Sequence, residues 1–320
     1  MTPTHHHIAV IIPCFNEAAT IGMVIRELKE VRPDAAIYVY DNNSTDKTRQ
    51  IATAEKALVR LEPRQGKGNV VRRMFADVEA NIYVLIDGDA TYDVQSLNKL
   101  IDTLLNNNLD MVVGRRIETG SSVYPYGHRF GNRLLTGISR ILFGKQPSDL
   151  LSGYRVMSRR FIKSFPAVSP GFEIETELTL HALSLNIPTA EVETSYRSRP
   201  PESVSKLNTY RDGARILSTI LLFTKEERPF FFFSLLSLLL GLISLSLGIP
   251  VTLEFFETGL VPKLPTAVLS ASIMLLAFLG LTSGMILDSV ARGRREQKRL
   301  AYLRLDWLGQ ANSSPTQVDT

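Results

Sequence analysis

Residues Ile82-Tyr83-Val84-Leu85-Ile86-Asp87-Gly88-Asp89 decide the fold. Five consecutive apolar residues have the length and character of a strand buried on both faces, as strands of a parallel sheet are. The run ends on two carboxylates separated by one glycine. Acidic groups therefore land at the carboxyl end of a strand, where open α/β sheets bind their ligands. Working outward, Ile8–Ile12, Ala36–Tyr40, Ala57–Leu61 and Met111–Val113 carry the same signal. The segments 17–31, 46–56, 67–79 and 96–107 read as helices between them. This rhythm predicts βαβ units and an α/β domain with a Rossmann-like, mostly parallel sheet.

The residues after each strand are polar. They are Pro13-Cys14-Phe15-Asn16-Glu17, Asp41-Asn42-Asn43-Ser44-Thr45-Asp46, Asp87-Gly88-Asp89 and Gly114-Arg115-Arg116. Turn and cap chemistry accounts for any one of them, and Ser44 and Asp46 read as caps. Four such clusters on one edge point to a site. Asp87 and Asp89 offer two hard oxygen ligands suited to Mg²⁺ or Mn²⁺, which would in turn hold a nucleotide diphosphate. The chain has neither a Walker A loop nor Gly-x-Gly-x-x-Gly, which weighs against ATPase and dinucleotide readings. Gly66-Lys67-Gly68 comes nearest to a phosphate loop, and a plain loop before a helix explains it equally well.

After Lys225 the composition changes. Pro229–Leu253 and Leu264–Leu287 contain no charged residue. Each reaches the roughly 20 residues a helix needs to cross a bilayer. Glu254–Lys263 joins them, so the pair reads as a hairpin of membrane helices, about 230–251 and 265–287 within 229–290. Lys225 and Arg228 precede it, and Arg292, Arg294, Arg295, Lys298, Arg299 and Arg304 follow, whereas the connecting loop has Lys263. The positive-inside rule then places the N-terminal domain, residues 1–208, and the basic tail, residues 291–320, in the cytoplasm. Anionic headgroups explain the basic cluster without invoking nucleic acid. Within 209–228, the stretch Tyr210–Phe223 reads as an interfacial amphipathic helix, or as one packed on the domain. Gly280 and Gly284 have the spacing that permits close helix packing and a homo-oligomer. Cys14 is the single cysteine, which forbids an intrachain disulfide and fits a reducing compartment. The first apolar run is too short for a secretion signal, and His5, His6 and His7 read as a solvated tract.

Five stretches carry a resemblance: Ile11–Glu17, Asp41–Asp46, Gly66-Lys67-Gly68, Asp87-Gly88-Asp89-Ala90-Thr91-Tyr92 and Leu151-Ser152-Gly153-Tyr154-Arg155. In this order and spacing they resemble family 2 glycosyltransferases of the GT-A fold. More narrowly, they resemble the polyprenyl-phosphate branch that includes dolichol-phosphate mannose synthases and bactoprenol glucosyltransferases. The resemblance spans Ile8 to about Asp212, and the hairpin extends it to about Arg292. It implies metal-dependent, inverting transfer of a sugar from a nucleotide-diphosphate sugar, UDP favoured over GDP. The acceptor would be an undecaprenyl or dolichyl phosphate at the cytoplasmic membrane face. By position, Pro13, Glu17 and Asp41 would surround the nucleoside, with Lys67 near the base or ribose. Asp87 and Asp89 would hold the metal and diphosphate, and Arg115 would lie near the donor and acceptor phosphates. Thr91 stands where some relatives carry a Gln that touches the metal. Arg129 and Arg133 would receive the lipid phosphate, with Arg199, Ser205 and Lys206 in a segment covering the site. Asp149 either orients the acceptor or bonds to backbone. Of Glu173, Glu175 and Glu177, the first and last share a helical face and the middle one does not, so at most part of the set lines a site.

An acceptor phosphate is already anionic and needs no strong base. The chemical burden is neutralising two anions brought together, which a divalent cation held by Asp87 and Asp89 would do with Arg115 and with Arg129 or Arg133. The catalytic set is then Asp89 and Arg115, with Asp149 as the residue that could orient the acceptor. Two other readings stand beside this one. They are transfer to a different lipid or glycan, and a non-catalytic nucleotide-sugar-binding membrane protein. Processive synthases usually carry Gln-x-x-Arg-Trp, and the single tryptophan here is Trp307, in the tail.

Overall fold

The computed structural model describes residues 6–118, 149–171, 173–197, 218, 222, 224–226 and 228–309. Its contacts divide the chain into two units. One joins the N-terminal part to the segment from Lys298 onward, and the other is Ser218–Gln297.

The first unit is built on a seven-stranded sheet. The chain runs β1 (Ile8–Cys14), α1 (Ile21–Val31), β2 (Ala36–Asp41), α2 (Thr48–Ala54), β3 (Leu58–Leu61), α3 (Lys67–Asp77), β4 (Ile82–Leu85), α4 (Leu97–Asn106), β5 (Met111–Glu118), β6 (Arg155–Ser158), α5 (Arg159–Ser164), α6 (Ile174–Ser184) and β7 (Thr189–Tyr196). The order across the sheet is β3-β2-β1-β4-β6-β5-β7. All neighbours pair in parallel except β6, which runs antiparallel to β4 and β5. All five expected strands and all four expected helices are present within a few residues.

Both faces of the sheet are covered, which is why β1 and β4 are apolar at every position. Ile8, Val10 and Ile12 point to the side of α1 and α4, which bury Ile21, Val24, Ile25 and Leu28, and Leu97, Leu100, Ile101 and Leu104. Ala9 and Ile11 point to the side of α3 and α6, which contribute Val70, Val71 and Met74, and Ile174 and Leu178. The i, i+3, i+4, i+7 spacing on α1 and α4 is what allows one stripe of each helix to be buried.

Part of the expected basic tail, 291–320, packs with the sheet unit. From Lys298 the chain belongs to the sheet unit. The buried Asp110, just before β5, accepts hydrogen bonds from Tyr302 (2.6 Å), Ser158 (2.6 Å) and Arg160 (2.8 Å). Trp307 donates its indole N–H to Leu109 O (2.9 Å), and Arg299 donates to Leu185 O (2.9 Å). Aromatic and apolar residues set among the arginines make this segment a packing element. Reading the charges alone as a lipid-facing tail misses them.

The second unit contains two helices long and apolar enough to cross a membrane, α7 (Pro229–Thr258) and α8 (Leu264–Leu303), the latter continuing past Gln297. Large side chains such as Leu238, Leu242, Leu275 and Phe278 are exposed, whereas Ser237, Ser244, Ser270 and Ala277 are buried. Small inside and large outside is the reverse of a soluble helix pair and suits lipid surroundings. The buried small positions recur every seven residues, as in a left-handed helix seam. Ser244 and Ser270 each donate a hydroxyl to the other's carbonyl, at 2.8 and 2.9 Å. A Cβ at Gly280 would stand 2.9 Å from Ser237 Oγ, and one at Gly284 would stand 2.8 Å from Phe233 Cβ. The glycine spacing that suggested self-association therefore serves packing between the two helices of one chain. The Tyr210–Phe223 helix expected ahead of them falls largely outside the described residues.

Candidate active site

The site grows from the turn after β4. Ala90 has φ +58°, a left-handed conformation that costs an L residue about 1 kcal/mol. This turn folds Thr91 back onto Asp89, whose Oδ1 accepts both the Thr91 hydroxyl (2.6 Å) and its N–H (3.2 Å). Thr91 therefore serves by holding the Asp89 carboxylate. Gly88 has Cys14 Sγ where a side chain would go, 2.8 Å from an added Cβ, and its carbonyl accepts the Thr20 hydroxyl (2.7 Å).

Lys67, expected near the base or ribose, points its ammonium between two carboxylates. Nζ lies 2.5 Å from Asp87 Oδ1 and 2.5 Å from Glu175 Oε1. Burial works against the charged lysine, but Asp87 and Glu175 outweigh it and raise its pKa. Burial pushes the Glu175 carboxyl up, opposed by the charge and hydrogen bond of the Lys67 ammonium, which favour its anion. The flanking glycines are explained by packing. A Cβ at Gly68 would meet Ser169 O at 2.0 Å, and one at Gly66, whose φ is +127°, would meet Pro170 O at 2.3 Å. The glycine pair lets the backbone of 169–170 lie against the start of α3. Arg72 fastens that loop by donating to Ala167 O and Val168 O, and the Glu177 carboxylate accepts the N–H groups of Val168 and Ser169.

At the end of β2, Asp41 is buried and accepts the Ser44 N–H, and it pairs in register with Cys14 of β1. Asn42 bonds to the carbonyls of Glu62 and Arg64 and accepts Gly66 N–H, tying the β3–α3 loop to the same edge. Pro13 lies in β1 beside Tyr40. Glu17 is buried, with its N–H donated to Thr48 Oγ1 (2.8 Å).

Arg115 and Arg116 are adjacent in a strand, so their side chains leave opposite faces. Arg115 pairs with Glu193 of β7, its register partner. Arg116 grips Asp149 with Nε and Nη2, both at 2.7 Å, and lies over the Tyr196 ring. Burial would raise the Asp149 carboxyl, but the Arg116 hydrogen bonds and charge hold it below the usual carboxylate range. Asp149 thus fixes the Arg116 guanidinium, and it also accepts the backbone N–H groups of Arg116 and Leu151. Tyr92 accepts Gly153 N–H (2.7 Å) and lies within electrostatic reach of Arg116, Asp87 and Lys67. Of the two adjacent arginines, Arg116 is the one on the Tyr92 side, where Asp87 and Lys67 also act on that ring. Arg129, Arg133 and Lys206 lie outside the described residues.

Over 304 residues the chain is 31% identical to glycosyltransferase AglJ of Haloferax volcanii, covering 94% of this chain and 99% of that one. A family description, Glycosyl transferase family 2, matches residues 9–165. This protein is a family 2 glycosyltransferase. The glycosyltransferase is also 29% identical over 225 residues to a dolichyl-phosphate hexose transferase of Haloferax volcanii, covering 70% of this chain and 97% of that one. Among solved structures, glucosyl-3-phosphoglycerate synthase from Mycobacterium tuberculosis in complex with Mn²⁺, UDP and glucosyl-3-phosphoglycerate shares the fold. The TM-score is 0.55 at 23% identity, covering 68% of this chain and 79% of that one.

Among the described residues of the glycosyltransferase, no three His, Cys, Asp or Glu side chains gather into a closed metal site. Two carboxylates at a strand end still fit Mg²⁺ or Mn²⁺, which commonly bind through one or two carboxylates and complete their shell with substrate phosphates and water. Asn42, Gly153 and Arg155 are parts of the site that the motifs did not distinguish. A Cβ at Gly153 would stand 2.5 Å from Asp87 Oδ2. Gly153→Ala is therefore expected to displace the Asp87 carboxylate and lower transfer about a hundredfold, on the scale of losing one aligned electrostatic group. Circular dichroism should remain native. Wild-type turnover in that variant would show that Asp87 tolerates the shift.

Proposed function

We propose that this glycosyltransferase moves a sugar from a nucleotide-diphosphate sugar, UDP-linked, to a polyprenyl phosphate at the cytoplasmic membrane face, with inversion at the anomeric carbon. The observation that carries the reading is the Asp87–Asp89 pair at the carboxyl edge of the sheet, set by Lys67 and Thr91 with Arg116 nearby. A divalent cation bound at this pair would neutralise the donor diphosphate. The Mn²⁺ and UDP complex of the mycobacterial synthase supports both choices. The dolichyl-phosphate relative and the two apolar helices support a lipid phosphate acceptor.

The chain's residues divide the work as follows. Pro13, Glu17 and Asp41 surround the nucleoside. Arg116, oriented by Asp149, faces the phosphates in place of Arg115, whose guanidinium is committed to Glu193. Arg129, Arg133 and Lys206 receive the acceptor phosphate. The acceptor oxygen attacks the anomeric carbon as the bond to the nucleotide diphosphate breaks, and the departing diphosphate takes the electron pair. The attacking oxygen is already anionic, so the step releases no proton, consistent with an Asp149 too weakly basic to accept one.

A donor screen tests the proposal. The full chain in detergent receives undecaprenyl phosphate, Mn²⁺ and a panel of UDP- and GDP-sugars, with lipid products read by mass spectrometry. One glycosylated lipid phosphate from a UDP-sugar is the expected result. Product only from GDP-sugars would overturn the donor assignment. No lipid product, alongside transfer to another acceptor, would overturn the acceptor assignment.

A further inference from the structure

We infer that Glu175 is a positioning residue of the donor site: it draws Lys67 partly off Asp87 and so keeps the aspartate pair charged enough to bind a divalent cation and a diphosphate. The inference rests on reading Asp87 and Asp89 as the cation-binding pair.

Three elements converge on one ammonium. Lys67 is the first residue of α3, Asp87 follows β4, and Glu175 lies in the first turn of α6. The Lys67 backbone cannot retreat, because Gly66 and Gly68 have the 169–170 backbone pressed against them. Glu175 is equally fixed. Its carbonyl accepts the buried guanidinium of Arg155 (2.9 Å) and the Thr179 hydroxyl (3.2 Å). What remains adjustable is how the ammonium is shared, and the two carboxylate oxygens lie at equal distances of 2.5 Å.

The state of Glu175 argues for a charge-based role. Its residue is 4% exposed, and its Oε2 has no hydrogen-bond partner among the described residues. A buried anionic oxygen left in that condition is costly, and a neutral side chain of the same volume would avoid the cost. The carboxylate does electrostatic work that glutamine cannot. With Glu175 present, the cluster of Asp87, Asp89, Glu175 and Lys67 carries a formal charge of −2, from three anions and one cation. With glutamine there, it carries −1, and Asp87 faces the ammonium without the competing carboxylate of Glu175. At separations of a few ångströms in a partly desolvated site, one unit of charge is a large fraction of what holds a divalent cation.

The measurement is Mn²⁺ affinity of the full chain in detergent, followed by electron paramagnetic resonance, with thermal unfolding as a folding control. Glu175→Gln is expected to weaken Mn²⁺ binding at least ~10-fold, and Glu175→Asp to recover part of the loss. The deciding variant is the double substitution Glu175→Gln with Lys67→Met. It removes the buried pair together, avoids a stranded charge, and returns the cluster to −2. Its Mn²⁺ affinity should lie within about threefold of wild type, a non-additive recovery that a merely structural role does not produce. Mn²⁺ binding by Glu175→Gln within about twofold of wild type, or a double variant no better than the single one, overturns the inference. A wild-type chain that binds no Mn²⁺ overturns it together with the metal reading. A wild type that binds and turns over, beside an unaltered Glu175→Gln, overturns the inference alone.

Discussion

Asp89→Ala is expected to lower sugar transfer about a thousandfold, the several kcal/mol that a metal ligand at a phosphate-transfer-like centre supplies. The variant should fold and enter membranes normally. The Asp89 bonds to Thr91 lie within its own turn, outside the sheet and helix ladders. Thr91→Val gives an informative intermediate. It keeps the carboxylate but removes the 2.6 Å hydroxyl that orients it, and a loss of about tenfold is expected, the scale of one hydrogen bond. Single-turnover transfer from the donor identified by the screen measures both. Full activity of Asp89→Ala with divalent cations chelated would eliminate the metal-bridged scheme and leave Lys67 and Arg116 to manage the diphosphate.

Arg155→Lys is expected to destabilise the sheet unit by at least ~3 kcal/mol, the scale of leaving two buried acceptors without their charged donor. Arg155 is fully buried. It donates to Ser152 O (2.9 Å), Leu150 O (3.0 Å), Glu175 O (2.9 Å) and Thr179 Oγ1 (2.9 Å). No direct carboxylate partner is among them, so its anchoring depends on the fork of a guanidinium. A lysine ammonium reaches fewer of these acceptors and leaves the others unpaired. Differential scanning fluorimetry should show a fall in Tm of about 10 °C for a domain of this size. Transfer should fall too, because Leu150 to Gly153 carries the contacts to Tyr92 and Asp87, and Glu175 loses its anchor. A Tm within about 2 °C of wild type would show that lysine satisfies the same carbonyls.

Much of this architecture was legible in the residues. Continuous apolar runs mark buried strands because a parallel sheet has no wet face, and Leu97, Leu100, Ile101 and Leu104 mark a helix because 3.6-residue periodicity is local. Two later strands were not recognised. β6 is four residues long, begins with a buried arginine and ends on a serine, and so shows no apolar run. β7 alternates, with Val192 and Thr194 buried and each preceded by an exposed glutamate, Glu191 and Glu193, a period-two signal that the two glutamates obscure. The basic segment at the end of the second long apolar helix misled for a related reason. Its arginines dominate the composition, while Tyr302 and Trp307 dominate its packing.

The sequence by itself determined five of the seven strands, the polar edge on which the candidate site lies, the aspartate pair and the two membrane-length helices. Each of these is encoded within a window of a few to about twenty-five residues. Only the tertiary structure decided which partners meet there. Strand alternation says that Arg115 and Arg116 diverge, but Asp149 and Glu193, 33 and 78 residues away, determine where each one goes. Lys67 reads as a loop lysine until Asp87 and a glutamate on a distant helix close around it. Gly66, Gly68 and Gly153 look like loop glycines until another backbone or carboxylate occupies the space their side chains would have filled. Long-range burial, and the charge pairing that burial makes obligatory, are properties of the folded chain and leave no local pattern to read.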